Sequence, residues 1–134
     1  MTQQIQYHTL SEAIVTRYFK KVNLALGVRS KGNENTFWDP DSDLARQHSR
    51  AEALLRSLVL AKLFKKNARE MAAGDEELGA VGTLAVSLKR NLILATNDYL
   101  KTRHQSQGDM STSAKIIVDT IDQELDRAVS QIEK

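Results

Sequence analysis

Apolar residues recur at three- and four-residue steps through most of the chain, and the steps break at Gly27, Gly32, Gly74 and Gly108 and around the single proline, Pro40. Four helices are expected from this punctuation. In the first, Ile14, Val15, Tyr18, Phe19, Val22 and Leu26 make one apolar stripe that stops near Gly27. Thr9 followed by Glu12 reads as a capping box, which predicts a start at Thr9. The segment from Val28 to Trp38 turns polar and turn-prone, so a loop is expected there.

Asp39-Pro40-Asp41-Ser42 combines an aspartate cap, a first-turn proline and acids at the positive end of a helix dipole. It predicts the start of a second helix, with Phe37 or Trp38 folded back onto Leu44 as a hydrophobic staple. That helix is expected to run to about Ala73, with Leu44, Ala51, Leu54, Leu55, Leu58, Ala61, Phe64, Ala68 and Met71 facing inward. Gly74 then stops it and Asp75 caps the next, with Glu76 and Glu77 in the first turn. So short a link predicts an antiparallel hairpin.

The third helix carries Leu78, Val81, Ala85, Leu88, Leu92, Ala95 and Tyr99 as a heptad-like seam, widened by Leu84, Ile93, Leu94 and Leu100. Gly79 and Gly82 permit close approach of a partner helix. The wide apolar face is satisfied either inside one bundle or by self-association. After a loop at Gln105 to Thr112, in which Asp109, Ser111 or Thr112 offers a cap, the fourth helix has the stripe Ala114, Val118, Ile121, Leu125, Ala128 and Ile132. No stretch alternates as a strand does. The expected fold is therefore all-α: one domain over residues 1–134, an elongated four-helix bundle with two long central antiparallel helices of roughly 45 Å each at 1.5 Å per residue.

Composition narrows the function classes. At 134 residues, 41% hydrophobic and 27% charged, the chain falls in the soluble globular class and has room for one core. The absence of cysteine excludes disulfides, thiolate nucleophiles and cysteine-ligated metal. With an aromatic content of 5%, a sheet or barrel that stacks bases on exposed rings is disfavoured. No uninterrupted apolar run reaches the roughly 18 residues of a membrane span, and no basic segment leads into an apolar run at the start. Thr9 to Lys21 has the flavour of a transit peptide, but Glu12 and its length fit a folded helix. The expectation is a cytoplasmic protein that contacts no membrane.

Charge supplies the one functional pointer. Between Leu44 and Arg69 stand seven basic residues, Arg46, Arg50, Arg56, Lys62, Lys65, Lys66 and Arg69, against the single acid Glu52, a local +6 (7 − 1) within an overall net charge of +2. Lys62, Lys65, Lys66 and Arg69, at i, i+3, i+4 and i+7, form a row along two helical turns. Such a row suits a phosphate backbone, where each neutralised phosphate releases counterions without reading sequence. An antiparallel third helix would bring Lys101, Arg103 and His104 back towards Arg46 and Arg50. The competing reading is a solvated helix face partly neutralised by Glu76 and Glu77.

Other constellations fall short of a reaction. Asp39, Asp41 and Asp43 open like a calcium loop, but Leu44 and Arg50 occupy the positions that need glycine and glutamate. Asp119, Asp122 and Asp126 line one side of the fourth helix without a histidine or glutamate motif, which reads as a solvated face rather than a metal site. His8, His48 and His104 lie far apart, and His48 on the Leu44–Ala51–Leu55 stripe reads as a boundary or core histidine. There is no nucleophile elbow, phosphate-binding loop or dinucleotide fingerprint. No enzyme activity, cofactor or metal is expected.

Short, basic, without catalytic groups and built from antiparallel helices, the chain resembles over its whole length the helical small subunits of CRISPR effector complexes. That resemblance rests on architecture and charge. It implies a non-catalytic subunit, present in several copies, that lines guide RNA or a displaced single DNA strand alongside protein subunits of a larger assembly. Arg46, Arg50, Lys62, Lys65, Lys66, Arg69, Lys101 and Arg103 are the candidate contacts, chosen on charge alone. The alternative is a helical protein-interaction module, such as a phage-encoded inhibitor, a chaperone or a structural protein, whose basic face docks on an acidic protein surface.

Overall fold

The computed structural model describes residues 2–25, 43–70, 74–104 and 110–132, and these form four α-helices with no strand among them. They are α1 (Thr2–Ala25), α2 (Asp43–Glu70), α3 (Asp75–His104) and α4 (Ser111–Ser130). The all-α four-helix bundle expected from the periodicity is what the chain adopts. Its long elements are α2 and α3, with 28 and 30 residues, about 42 and 45 Å at the helical rise. This antiparallel pair shares the most extensive interface, α4 packs against α3 and α1, and α1 also lies on α2.

Three starts differ from the sequence expectation. α1 begins at Thr2, so Thr9 lies inside the helix and not at its cap. Of the residues before it Gln3, Gln4 and Gln6 are unbranched helix formers and none is a glycine or proline, and the helix extends through them. α3 is capped by Gly74 instead of Asp75: the Gly74 carbonyl accepts from the Leu78 N–H at 3.1 Å. The Glu77 carboxylate accepts the Gly74 N–H at 3.0 Å, which is the return half of a capping box. At α4 the N-cap position falls to Met110, without a side-chain cap; its N–H is taken by Asn97 Oδ1 at 3.1 Å, tying the start of α4 to α3. The Asp39-Pro40 start, the Phe37 or Trp38 staple, the Asp109 cap and Met71 lie outside the described residues.

The core is built from Tyr18 and Val22 of α1, Ala51, Leu55, Leu58 and Val59 of α2, Leu92, Ala95, Tyr99 and Leu100 of α3, and Ala114, Val118, Ile121 and Leu125 of α4. Burying each leucine or isoleucine removes apolar area worth about 1.5–3 kcal/mol from water. The stripes of α1 and α4 run as expected, while Ile117 and Val129 join the α4 face. The core is unevenly placed. In α3 every buried residue falls between Leu92 and Leu100, and Leu78, Val81, Ala85 and Leu88 of the seam are only half-buried. The α2–α3 hairpin therefore carries its fully packed core away from its tip.

Three residues expected on apolar faces point out: Leu84 and Leu94 of α3, each 52% exposed, and Phe64 of α2. Phe64 is 58% exposed, because it follows the fully buried Leu55 by nine residues, two and a half helical turns, and so stands on the opposite face. Val59, absent from the expected stripe, is fully buried one residue from Leu58.

Candidate interaction surfaces

Half of the basic row of α2 is neutralised within the molecule. Lys62 reaches across to α4, where its ammonium meets Asp122 and Asp126. Its contact with Asp122 Oδ1 is a charge contact without hydrogen-bond alignment. Lys66 pairs with Glu70 one turn further along its own helix. The neutralising acids are thus Asp122, Asp126 and Glu70, and not the Glu76 and Glu77 expected from the hairpin link. Lys65 and Arg69 have no acidic partner among the described residues, and the Lys65 ammonium lies over Gly82 of α3, 3.5 Å from where a Cβ would stand. Together these four cations edge a cleft of about 540 Å³ against Ala85, Asp126, Val129 and Ser130.

The other predicted cations stand at the opposite end of the hairpin, where the antiparallel register brings Lys101 level with Arg46 as expected. Arg50 contacts Asp98 at 3.5 Å, both about half exposed. Arg46 is exposed and engaged within the molecule. Lys101 is half-buried at the far end of α3 from the Lys65 and Arg69 tip, and the Arg103 side chain lies outside the described residues. Arg56, part of the same charge run, sits between Glu12 at 2.8 Å, Glu52 at 3.1 Å and the buried Ser11 hydroxyl at 2.9 Å. Its hydrogen bond to Glu12 raises its pKa against the opposing effect of burial. Of the seven predicted residues whose side chains are described, Lys62, Lys65, Lys66 and Arg69 share one cleft, while Arg46, Arg50 and Lys101 stand at the other end of the hairpin.

Of the α4 aspartates only Asp126 stays mostly solvated, and all three are paired with lysines. Asp119 and Asp122 hold Lys89 of α3 at 3.0 and 3.2 Å, and Asp119 also meets Lys115. Burial pulls the Lys89 pKa down, but the hydrogen bonds and charges of Asp119 and Asp122 outweigh it and leave it raised. The Lys89 hydrogen bond holds the Asp119 carboxyl below its ordinary range. On the α1 side Glu124 accepts from Arg17 and Lys21; burial raises its pKa, and the two cations reverse that to a net lowering. With their oxygens taken by lysines, the three aspartates are built as cross-helix clamps. Among the described residues no group of three acidic, histidine or cysteine side chains is placed to hold a metal. His48 is half-buried and stacked on Phe19, ring centroids 4.0 Å apart, a boundary histidine.

The second surface is one the charge count did not reveal. On the side of the hairpin turned away from α1 and α4, Ser57, Leu60, Ala61 and Phe64 of α2 and Val81, Leu84 and Leu88 of α3 line a groove of about 480 Å³. Leu60, Phe64 and Leu84 are 55%, 58% and 52% exposed. Its sequence signal is the run Leu58, Val59, Leu60, Ala61, Leu63 and Phe64, which is apolar all around the helix and cannot be buried on one side alone. α3 tells the same story over Asp75–Thr102, a stretch long and apolar enough by length and composition to cross a membrane, of whose most apolar window 11% is buried. Lys89, clamped by two aspartates, and the packing on α2 and α4 hold that helix in the bundle.

No family model, no curated protein and no solved structure matches this chain.

Proposed function

We propose that the protein is a non-catalytic helical interaction module that docks on protein through the outer face of the α2–α3 hairpin, as one subunit of a larger assembly. The observation that carries this reading is the apolar groove, in which three large side chains are each more than half exposed. Large apolar side chains clustered at a surface groove are a feature of interaction sites. The test is affinity capture from nuclease-treated native lysate with the wild type and with a Leu60→Glu/Phe64→Glu variant. Recovery of a partner by the wild type and its loss in the variant supports the reading; equal recovery by both overturns it.

A second reading, contact with a nucleic-acid backbone, is favoured by Lys65 and Arg69, which have no acidic partner among the described residues. In that reading, as the resemblance to CRISPR small subunits implies, the chain lines RNA or single-stranded DNA beside other subunits in the cytoplasm. Two point contacts predict a shallow salt dependence, since the slope scales with the number of phosphates neutralised. Retention on a single-stranded DNA column at graded salt separates the two readings.

A further inference from the structure

Charge along the outer hairpin face has an order that fits a particular partner. Ala53, Ser57, Leu60 and Phe64 on α2, with Val81 and Leu84 on α3, leave the middle of the face uncharged. Charges stand only at its ends. At one end are Arg46 and Arg50, which follow the same helical stripe as Leu60 and Phe64, with the half-exposed Asp98 of α3 beside Arg50, so that this end keeps a net positive charge. At the other is Glu77, on the stripe of Val81, Leu84 and Leu88, with Glu76 beside it, both exposed. Lys65 lies against Gly82, which sets the register of the antiparallel pair and puts Glu77 about level with Glu70 on α2. Arg50 and Glu77 are thus each about ten residues, or about 15 Å, from Leu60, in opposite directions.

We propose that the occupant of this groove is a second copy of the chain, packed face to face and reversed end for end about a twofold axis near Leu60, so that Arg50 of each copy meets Glu77 of the other. The proposal rests on the docking reading above and names its partner. A twofold interface requires one patch to be complementary to itself. Opposite charges at equal distances on either side of an uncharged apolar centre meet that requirement. Arg50 touches Asp98 through one nitrogen at 3.5 Å and keeps other donors for an acid across the interface. Glu77 likewise spends one oxygen on the Gly74 N–H and retains the second. In the centre Leu60 and Phe64 of one copy would cover those of the other.

The experiment is light scattering on the full chain from micromolar to submillimolar concentration, with three sets of variants. Wild type is expected to shift from monomer to dimer with concentration, and Leu60→Glu/Phe64→Glu to weaken the dimer by about tenfold or more. Both side chains are mostly outside the core, and helical content with an unchanged melting transition checks that the variant folds. Glu77→Lys alone is expected to weaken the dimer and Glu77→Lys with Arg50→Glu to restore it. The two residues are about 30 Å apart within one chain, so restoration requires a second copy. The chain has no cysteine, so Leu60→Cys provides a single thiol near the axis. A short bismaleimide is expected to link it into dimers, and to leave Ile116→Cys, exposed on α4, as monomer.

A wild type that stays monomeric throughout, or a dimer indifferent to Leu60 and Phe64, overturns the proposal. If that monomer still captures another protein through the same face, the second copy is wrong and the docking reading stands; if it captures nothing, both fall. A monomer that floats with phosphatidylcholine vesicles through Leu60 and Phe64 replaces the second copy with a lipid surface.

Discussion

Tyr18 Oη and Thr96 Oγ1 lie 2.6 Å apart in the fully buried core, joining α1 and α3, two helices that share little other contact. Thr96 spends its own proton on the Leu92 carbonyl at 2.7 Å, so the tyrosine is the donor. Tyr18→Phe removes that donor and Thr96→Val removes the acceptor, leaving a buried phenol without a partner. Each single change is expected to cost about 1–2 kcal/mol, with Thr96→Val the larger because it leaves the buried phenol with no partner, whereas Thr96 in Tyr18→Phe keeps its bond to the Leu92 carbonyl. The double variant is expected to lose less than the sum. Denaturant unfolding of the four proteins measures the coupling.

The acid limb of stability is expected to follow Asp119 and Glu124. Both carboxyls are held below their ordinary pKa by cations on neighbouring helices. Their contribution is therefore present above the unfolded carboxylate range, about pH 4, and is lost as pH falls through the lower folded values. Melting temperature should drop below about pH 4, and Glu124→Gln should flatten that drop. An unchanged slope would show that these clamps do not set the acid limb.

At the alkaline end Tyr18 acts in the opposite direction. Burial, with the adjacent Tyr99 adding to it and the Thr96 hydrogen bond opposing it, raises the phenol pKa above its usual 10. The neutral phenol then stabilises the fold fully below about pH 10, and that stability declines as pH rises above it towards the raised folded value. Tyr18→Phe is expected to lose less stability between neutral pH and pH 11 than the wild type. Chemical denaturation at the two pH values measures it.

Lys62 and Lys65 belong to one basic row but are expected to behave differently. Lys62→Ala leaves Asp122 with Lys89 alone in a partly buried setting and should destabilise by about 1–2 kcal/mol, less than a fully buried pair because Asp126 is 61% exposed. Lys65→Ala should fall within about 0.5 kcal/mol of wild type. On a heparin column the order reverses: Lys65→Glu/Arg69→Glu should lower the eluting salt more than Lys62→Glu/Lys66→Glu, whose cations already serve acids of the fold.

Gly79 is the site for a stabilising change. A Cβ there would meet nothing within 4 Å, and the residue lies inside α3. Gly79→Ala should stabilise by about 0.5–1 kcal/mol through helix propensity, read as a rise in the urea midpoint at unchanged slope.

Helix number, class and order were legible in the sequence because a helix declares itself through local spacing, and Gly74 and the apolar stripes of α1 and α4 are local signals. The α4 stripe in particular carried over almost residue for residue, since Ala114, Val118, Ile121 and Leu125 all reach the core. Capping was less legible. Thr9 with Glu12 has the composition of a start, yet the helix extends seven residues upstream, and Gly74 outcompetes Asp75 for the cap because Glu77 can reach its N–H.

The candidate site needed the tertiary structure. Charge can be counted along a chain, but its availability depends on which side chains other helices bring near. Asp122 and Asp126 lie about sixty residues from Lys62 in sequence and touch it only because α4 packs over α2. The same packing decides the fate of the apolar surplus on α2. Helix α2 is apolar on more than one side, α1 and α4 cover only the inner side, and Leu60 and Phe64 remain at the water boundary. The sequence alone determined that four amphipathic helices would form and that α2 would carry positive charge. Only the fold decided that much of that charge would be spent internally and that the open surface would be apolar, because both outcomes depend on neighbours distant in sequence.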